Sequence, residues 1–284
     1  MQELYGTLVG RWYVTVFAAV FLWRATRQLG WRATLLYSAV AIAVGGLAEN
    51  GSVHVGFPYT RYAFNDALRG KEIFLGDVPL MVPLSYTFMG YFAFASGRLL
   101  ASGPWQTRAK RVWHEYLLGL ILAVWALWIV DPVSRLGNRW FLGEVFSYAG
   151  PGFWFGLPLG SQLGFLATAA VMLGTLTALA REEPNLAVAR WRDHPHLSAL
   201  ATYHGQVAMS VVAAFALGAD ALGGSALLID IPVTAVTAVL WSTLRPPPPV
   251  AGRAAGTGAG AGTTRAGAGS AAAASGAERT AVGV

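Results

Sequence analysis

Apolar runs recur along this chain, separated by polar segments punctuated with Pro and Gly. They fall at roughly 7–23, 33–48, 78–97, 115–131, 153–180, 199–218 and 222–243. Runs of about 17–25 apolar residues match the length needed to cross a hydrocarbon core of about 30 Å. The pattern predicts an all-α, polytopic membrane helix bundle of about seven transmembrane helices, the second short and the first carrying Arg11 near its start. From Pro246 the chain changes character: four prolines give way to Gly, Ala, Ser and Thr with a few arginines. Such a composition cannot bury enough apolar area to offset its ordering entropy. The expected organisation is therefore a transmembrane helical domain over 1–245 and a disordered low-complexity tail over 246–284.

Composition agrees with the pattern. Hydrophobic residues make up 55% and charged residues 12%, and the mean hydropathy is +0.49, well away from an ordinary soluble domain. The absence of cysteine removes disulfides, thiolate metal sites and cysteine nucleophiles from consideration. The N-terminus lacks a basic region followed by a short apolar core and a small-residue cleavage site, so the first span is expected to be its own insertion signal.

The net charge of +6 is distributed as a topology signal, and no nucleic-acid partner is expected. Basic residues gather in the first loop (Arg24, Arg27, Arg32), the third (Arg98, Arg108, Lys110, Arg111), the fifth (Arg181, Arg190, Arg192) and the C-terminal tail. The positive-inside rule then puts these segments and the C-terminus in the cytoplasm of a multi-pass cell-membrane protein, with the N-terminus outside.

Against this background the acidic residues stand out. Glu49 closes the second run, Asp77 opens the third, Asp131 closes the fourth and Glu144 lies just before the fifth. A helix that leaves on one side re-enters from that side, so all four belong to one face, away from the cytoplasm. The two long connections on that face, 49–76 and 131–156, are rich in aromatic residues with interspersed arginines, which suits the membrane interface. Each begins with a carboxylate and ends in glycine, one or two residues, then Pro-Leu. That likeness points to a tandem repeat of one hairpin, with Glu49 and Asp131 as pseudo-equivalent residues.

Glu49 and Asp131 carry the sharpest chemical expectation. A carboxyl held against apolar walls has its charged form disfavoured and can keep a proton to donate, while a second, ionised carboxylate can hold a water. The competing reading makes each an ordinary helix-end residue or a partner of Arg61, Arg135 or Arg139. Asp77 sits where a helix cap is expected. Asp230, followed by Pro232, either lines the same cavity or satisfies backbone groups freed by the proline. Gly152, Gly156, Gly160 and Gly164 form a stripe suited to close helix packing or to a flat slot for a rigid lipid. His54 is a candidate proton carrier. His194 and His196 flank Pro195 beside Asp193, a spacing that argues for a solvated loop and not a metal site. Phosphate loops, dinucleotide fingerprints, zincin motifs and nucleophile elbows are absent from the sequence, and no paired aspartate motif supports prenyl transfer.

At these residues the chain resembles the CruF-type carotenoid hydratases, integral-membrane carotenoid biosynthesis proteins, over most of residues 40–170. The family's glutamate, Gly-x-Pro aromatic turn and following tyrosine appear as Glu49, Gly56, Pro58 and Tyr62. Its Val-Pro-Leu and Pro-Leu runs appear as Val78-Pro79-Leu80 and Pro83-Leu84, and its Asp-Pro as Asp131-Pro132. Its Gly-Val-Pro-Leu-x-Asn-x-x-Gly-Trp segment appears at 156–165, with Ser161 in place of the asparagine and Phe165 in place of the tryptophan. Asp77 intrudes in the first Gly-Val-Pro-Leu.

The resemblance implies addition of water across the terminal C=C bond of an acyclic carotenoid, giving a tertiary alcohol without a metal or redox cofactor. Either Asp131 or Glu49 would be the acid and the other would direct water. Tyr62, Trp140, Tyr148 and Trp154 would line the site, and Ser161 would take the place of the asparagine. The expected partners are the lipid bilayer, the carotenoid and other carotenoid-pathway enzymes. Two other classes compete: a non-catalytic membrane protein that binds carotenoid or assembles the pathway, and a small-solute transporter. The scarcity of polar groups in spans three, four and six counts against the transporter.

Overall fold

The computed structural model describes residues 1–101, 108–139, 144–180 and 196–243. The chain begins with α1 (Gln2–Tyr5) and a π-helical turn over Gly6–Gly10, then bends by 74° into α2 (Trp12–Gln28). Arg11 makes the corner, with φ −109° and ψ 41°. Gly6 is required there, because a Cβ would run into the Lys71 carbonyl. The first apolar run is thus a broken element and not one straight span.

Helix α3 (Trp31–Val55) follows a two-residue turn. It continues well past the expected end at residue 48, so Glu49 sits inside the helix and not at its end. The polar run Asn50-Gly51-Ser52 stays helical because its side chains bond the structure around them. Ser52 Oγ donates to the Ala48 carbonyl at 2.7 Å, and Asn50 Nδ2 donates to the Gly46 carbonyl at 2.8 Å. Gly56, at φ +77°, ends the helix.

Next come β1 (Tyr62–Phe64), the hairpin of β2 (Phe74–Leu75) and β3 (Val78–Pro79), and then α4 (Met81–Leu100). The remaining elements are α5 (Arg108–Ser134), β4 (Phe146–Tyr148), α6 (Leu159–Leu179), α7 (Leu197–Ala216) and α8 (Asp220–Thr243). The sixth helix starts later than the apolar run from 153 implies, because 146–158 is spent on β4 and on a tight turn closed by the Trp154–Leu157 bridge. The bundle is all-α, and the described residues add to it only four strands of two or three residues. They are too short to register as a period-2 pattern: β1 and β4 pair across a long stretch of chain, whereas β2 and β3 form a local hairpin.

Helix α4 is central and packs against α2, α3, α5, α6 and α7. Every residue from Gly90 to Leu99 is buried, so all its faces are covered by protein. At its crossing with α5, a Cβ on Gly97 would lie 2.6 Å from the Gly119 amide nitrogen, and the missing side chain lets the two backbones meet.

Among the described residues five helices (α3, α5, α6, α7 and α8) are long and apolar enough to cross a membrane, or six with the bent N-terminal pair. Helix α4 does not qualify on apolarity: its tyrosines, Ser, Thr, Pro and Arg98 are sheathed by its neighbours. The architecture is a helical bundle of membrane type. Residues 1–246 form one compact unit, and the tail lies outside the described residues.

The glycine stripe divides. Gly152 and Gly156 precede α6, whereas Gly160 and Gly164 face the loop at 58–60, where Cβ atoms would meet the Thr60 hydroxyl and the Pro58 carbonyl. The stripe therefore seats a loop and not a lipid. We expect Gly164→Ala to lower stability by about 1–3 kcal/mol, because the obstacle is backbone. Gly174→Ala, on the same helix with nothing within 4 Å, should be neutral or stabilising by about 0.5–1 kcal/mol. Thermal unfolding of the two purified variants in detergent measures the contrast.

Candidate functional site

The two acidic-side connections meet through β1 and β4, which pair antiparallel with Tyr62 opposite Tyr148 and Phe64 opposite Phe146. Their rings pack together, the Tyr62 centroid lying 5.2 Å from Tyr148, 5.3 Å from Phe64 and 5.8 Å from Phe146. This aromatic roof covers a cavity of about 170 Å³. Its walls come from α2 through α7, and both Glu49 and Asp131 line it, together with Tyr62, Tyr148 and Ser161.

Glu49 is 7% exposed. Tyr86 Oη lies 2.5 Å from Glu49 Oε1 and 2.9 Å from Tyr59 Oη, and Tyr59 Oη donates to Thr168 Oγ1 at 2.9 Å. The loop carrying Tyr59 is docked on α3 by its own amide, which donates to Ser52 Oγ at 2.9 Å. Burial pushes the Tyr59 phenol far above its ordinary range. Burial does the same to Tyr148, whose hydroxyl bonds Ser161. Both phenols therefore face the cavity as neutral hydrogen-bond donors and acceptors.

Asp131 presents its carboxylate to the cavity without a hydrogen-bond donor among the described residues. The proline after it explains the local construction. Pro132 has no amide to offer the Trp128 carbonyl one turn back, and the Trp154 indole Nε1 donates to that carbonyl instead, at 2.9 Å. Trp154 stacks on Trp128 with centroids 5.6 Å apart. It thus supports the end of α5 and is not among the residues lining the cavity, contrary to its expected place. Trp140 lies outside the described residues. Arg135, one turn beyond Asp131, donates to the Gly156 carbonyl and lies 5.4 Å from the Tyr148 ring centroid. It ties α5 to the roof without forming an ion pair with Asp131.

The other acidic candidates are placed elsewhere. Asp77 does not cap α4. Its carboxylate pairs with Arg69 and lies 3.0 Å from His54 Nε2, in an exposed cluster. Glu144 is exposed and offers only its carbonyl, which accepts from Asn65. Asp230 faces α7, 3.4 Å from His204 Nδ1, and accepts from Thr234 Oγ1 at 2.8 Å. It does not line the cavity. His196 lies buried against Gln28, while His194 and Asp193 are outside the described residues. Among the described residues no cluster of three His, Asp or Glu side chains is arranged to hold a metal ion.

Three cavity residues escape a reading by apolar runs. Tyr86 and Tyr59 look like core or interface aromatics until their hydroxyls are seen to meet. A tyrosine inside an apolar run needs a partner for its hydroxyl, and that need is the signal available beforehand. Arg11 is the third. Its Nε lies 3.1 Å from both oxygens of Glu72, with side-chain exposures of 5% and 7%, and its Nη2 is buried with no hydrogen-bond partner.

A family model described as carotenoid biosynthesis protein matches residues 9–231, and the chain belongs to that family. The match runs from the end of the first arm of the N-terminal bend to the middle of α8 and includes every residue lining the cavity. Neither the curated proteins nor the solved structures contain a match.

The buried Arg11–Glu72 pair generates a stability prediction. Arg11→Met leaves the Glu72 carboxylate buried and alone and should cost about 3–5 kcal/mol, whereas replacing both residues with apolar ones should cost much less. A double-mutant cycle on unfolding temperature checks this.

Proposed function

We propose that this protein hydrates the terminal C=C bond of an acyclic carotenoid to a tertiary alcohol, as a CruF-type member of its family. The observation that carries the reading is that Glu49 and Asp131, from two different helices, line one aromatic-roofed cavity. Ionisable groups at this depth are costly and are kept where they act.

Hydration of a trisubstituted alkene begins with proton transfer from a carboxylic acid to the less substituted carbon, leaving a tertiary cation. The faces of Tyr62, Phe64, Phe146 and Tyr148 suit such a cation electrostatically. A water held by the second carboxylate adds to the cation and releases its proton to that carboxylate. Ser161, beside Tyr148, offers a further hydroxyl for orienting the water or the end group. The cavity has room for the branched end of a polyene but not its full length, so the rest of the chain would extend into the bilayer.

Two further features belong to this proposal. The connections to α4 and α6 each pass through a tight turn with a positive-φ glycine, Gly76 and Gly156, which supports reading the two hairpins as copies. The charge pattern puts the cavity mouth away from the cytoplasm, with the C-terminus cytoplasmic. Other carotenoid-pathway enzymes are the natural partners for passing on so insoluble a substrate.

The test is expression in cells that make lycopene or a related acyclic carotenoid, followed by mass spectrometry of the pigment. A gain of one water is expected. Glu49→Gln and Asp131→Asn should each lower conversion by about 10²–10⁴-fold. Product formation that survives both substitutions but not gene deletion would instead identify a carotenoid-binding or assembly protein.

A further inference from the structure

The proposed reaction leaves open which carboxylate gives the proton, and the hydrogen-bond geometry around Glu49 bears on that choice. Four contacts run in a row through the bundle. Glu49 Oε1 meets Tyr86 Oη at 2.5 Å, Tyr86 Oη meets Tyr59 Oη at 2.9 Å, Tyr59 Oη meets Thr168 Oγ1 at 2.9 Å, and Thr168 Oγ1 meets the Phe165 carbonyl at 3.0 Å. All five residues are buried.

Each hydroxyl has one proton to give, and a carbonyl has none. The row therefore holds three hydroxyl protons for four contacts. At the far end the Phe165 carbonyl can only accept, and within the row Thr168 is its donor. For every contact to carry a proton, Tyr59 donates to Thr168 and Tyr86 to Tyr59, which leaves the contact at Glu49 to be filled from the carboxyl itself. With Glu49 ionised, one contact in the row has no proton, and two buried oxygens face each other at a cost.

We propose that Glu49 is the proton donor, held in its acid form by the row Tyr86–Tyr59–Thr168, and that Asp131 is the group that directs water. This assignment rests on the hydratase reading. Asp131 fits the second role because its carboxylate faces the cavity with no donor on it among the described residues. When the Glu49 proton passes to the alkene carbon, the Tyr86 hydroxyl turns from Tyr59 to the new carboxylate and stabilises it without rearrangement of the backbone. Water forms the C–O bond and gives its proton to Asp131. Transfer of that proton back to Glu49 through the cavity closes the cycle, so the net change is one water added. Tyr86 and Tyr59 are positioning residues, acting through Glu49.

The test has two arms, both on the purified full-length protein. Infrared spectroscopy at neutral pH should show the carbonyl stretch of a protonated carboxylic acid that disappears in Glu49→Gln, persists in Asp131→Asn and shifts in Tyr86→Phe. A band that is absent from the parent protein, or that survives Glu49→Gln, overturns the assignment whether or not the protein is a hydratase. In turnover, Tyr86→Phe should lower kcat by about tenfold to a hundredfold with KM unchanged, and should move the alkaline limb of the pH profile. An unmoved limb overturns the role of Tyr86. Tyr59→Phe, one step further along the row, should shift the same band and limb by less, and it serves in place of Tyr86→Phe if that variant does not fold. Failure to hydrate any carotenoid, with the infrared pattern intact, removes the hydratase reading but keeps Glu49 as a buried acid.

Discussion

Tyr86 joins three parts of this molecule at one oxygen. From the central helix α4 it reaches Glu49 on α3 and Tyr59 in the first aromatic connection, and Tyr59 carries the contact on to Thr168 of α6. In hydrocarbon surroundings a polar group finds its partner within the protein or remains unsatisfied. That constraint makes the junction strict. The loop at 57–60 must lie against α6 for Tyr59 to reach Thr168, and α6 must present glycine where the loop touches it. Gly160 and Gly164 meet that demand. The cavity takes its shape from the elements this junction holds in place.

A second compromise shapes the opposite wall. Placing Pro132 directly after Asp131 costs α5 a backbone hydrogen bond, and the Trp154 indole replaces it at the Trp128 carbonyl. Trp154 thereby anchors the turn that leads into α6, while Arg135, just past the end of α5, fastens the same turn. One proline, one tryptophan and one arginine set where the Asp131 carboxylate faces. Trp154 matters through backbone support, although its place in an aromatic-rich loop marks it as a lining residue.

Much of this was legible beforehand, and the reasons differ from residue to residue. Helix-length apolar runs report burial in lipid directly, so the helical bundle could be read without tertiary information. Glu49 and Asp131 stood out because carboxylates are rare in such runs. The short strands could not be seen, since three-residue segments have no periodicity of their own and depend on each other for hydrogen bonds. Asp77 looks like a cap in the sequence because a position before a helix has the same composition whether its carboxylate turns to the helix amides or, as here, to Arg69 and His54. Helix α4 reads from its apolar run as one more span, and its hydroxyls and Arg98 are sheathed by neighbouring helices.

By itself the sequence determined the class of fold, its membrane character and the acidic residues worth attention, because hydropathy and charge act locally and are additive along the chain. Tertiary structure decided which of those acids share a cavity, that aromatic side chains from two distant connections form its roof, and that Tyr86, Tyr59 and Arg11 belong to it. Those outcomes depend on distances between residues far apart in the chain, such as the 2.5 Å between Tyr86 and Glu49. No property of either residue alone encodes such a distance.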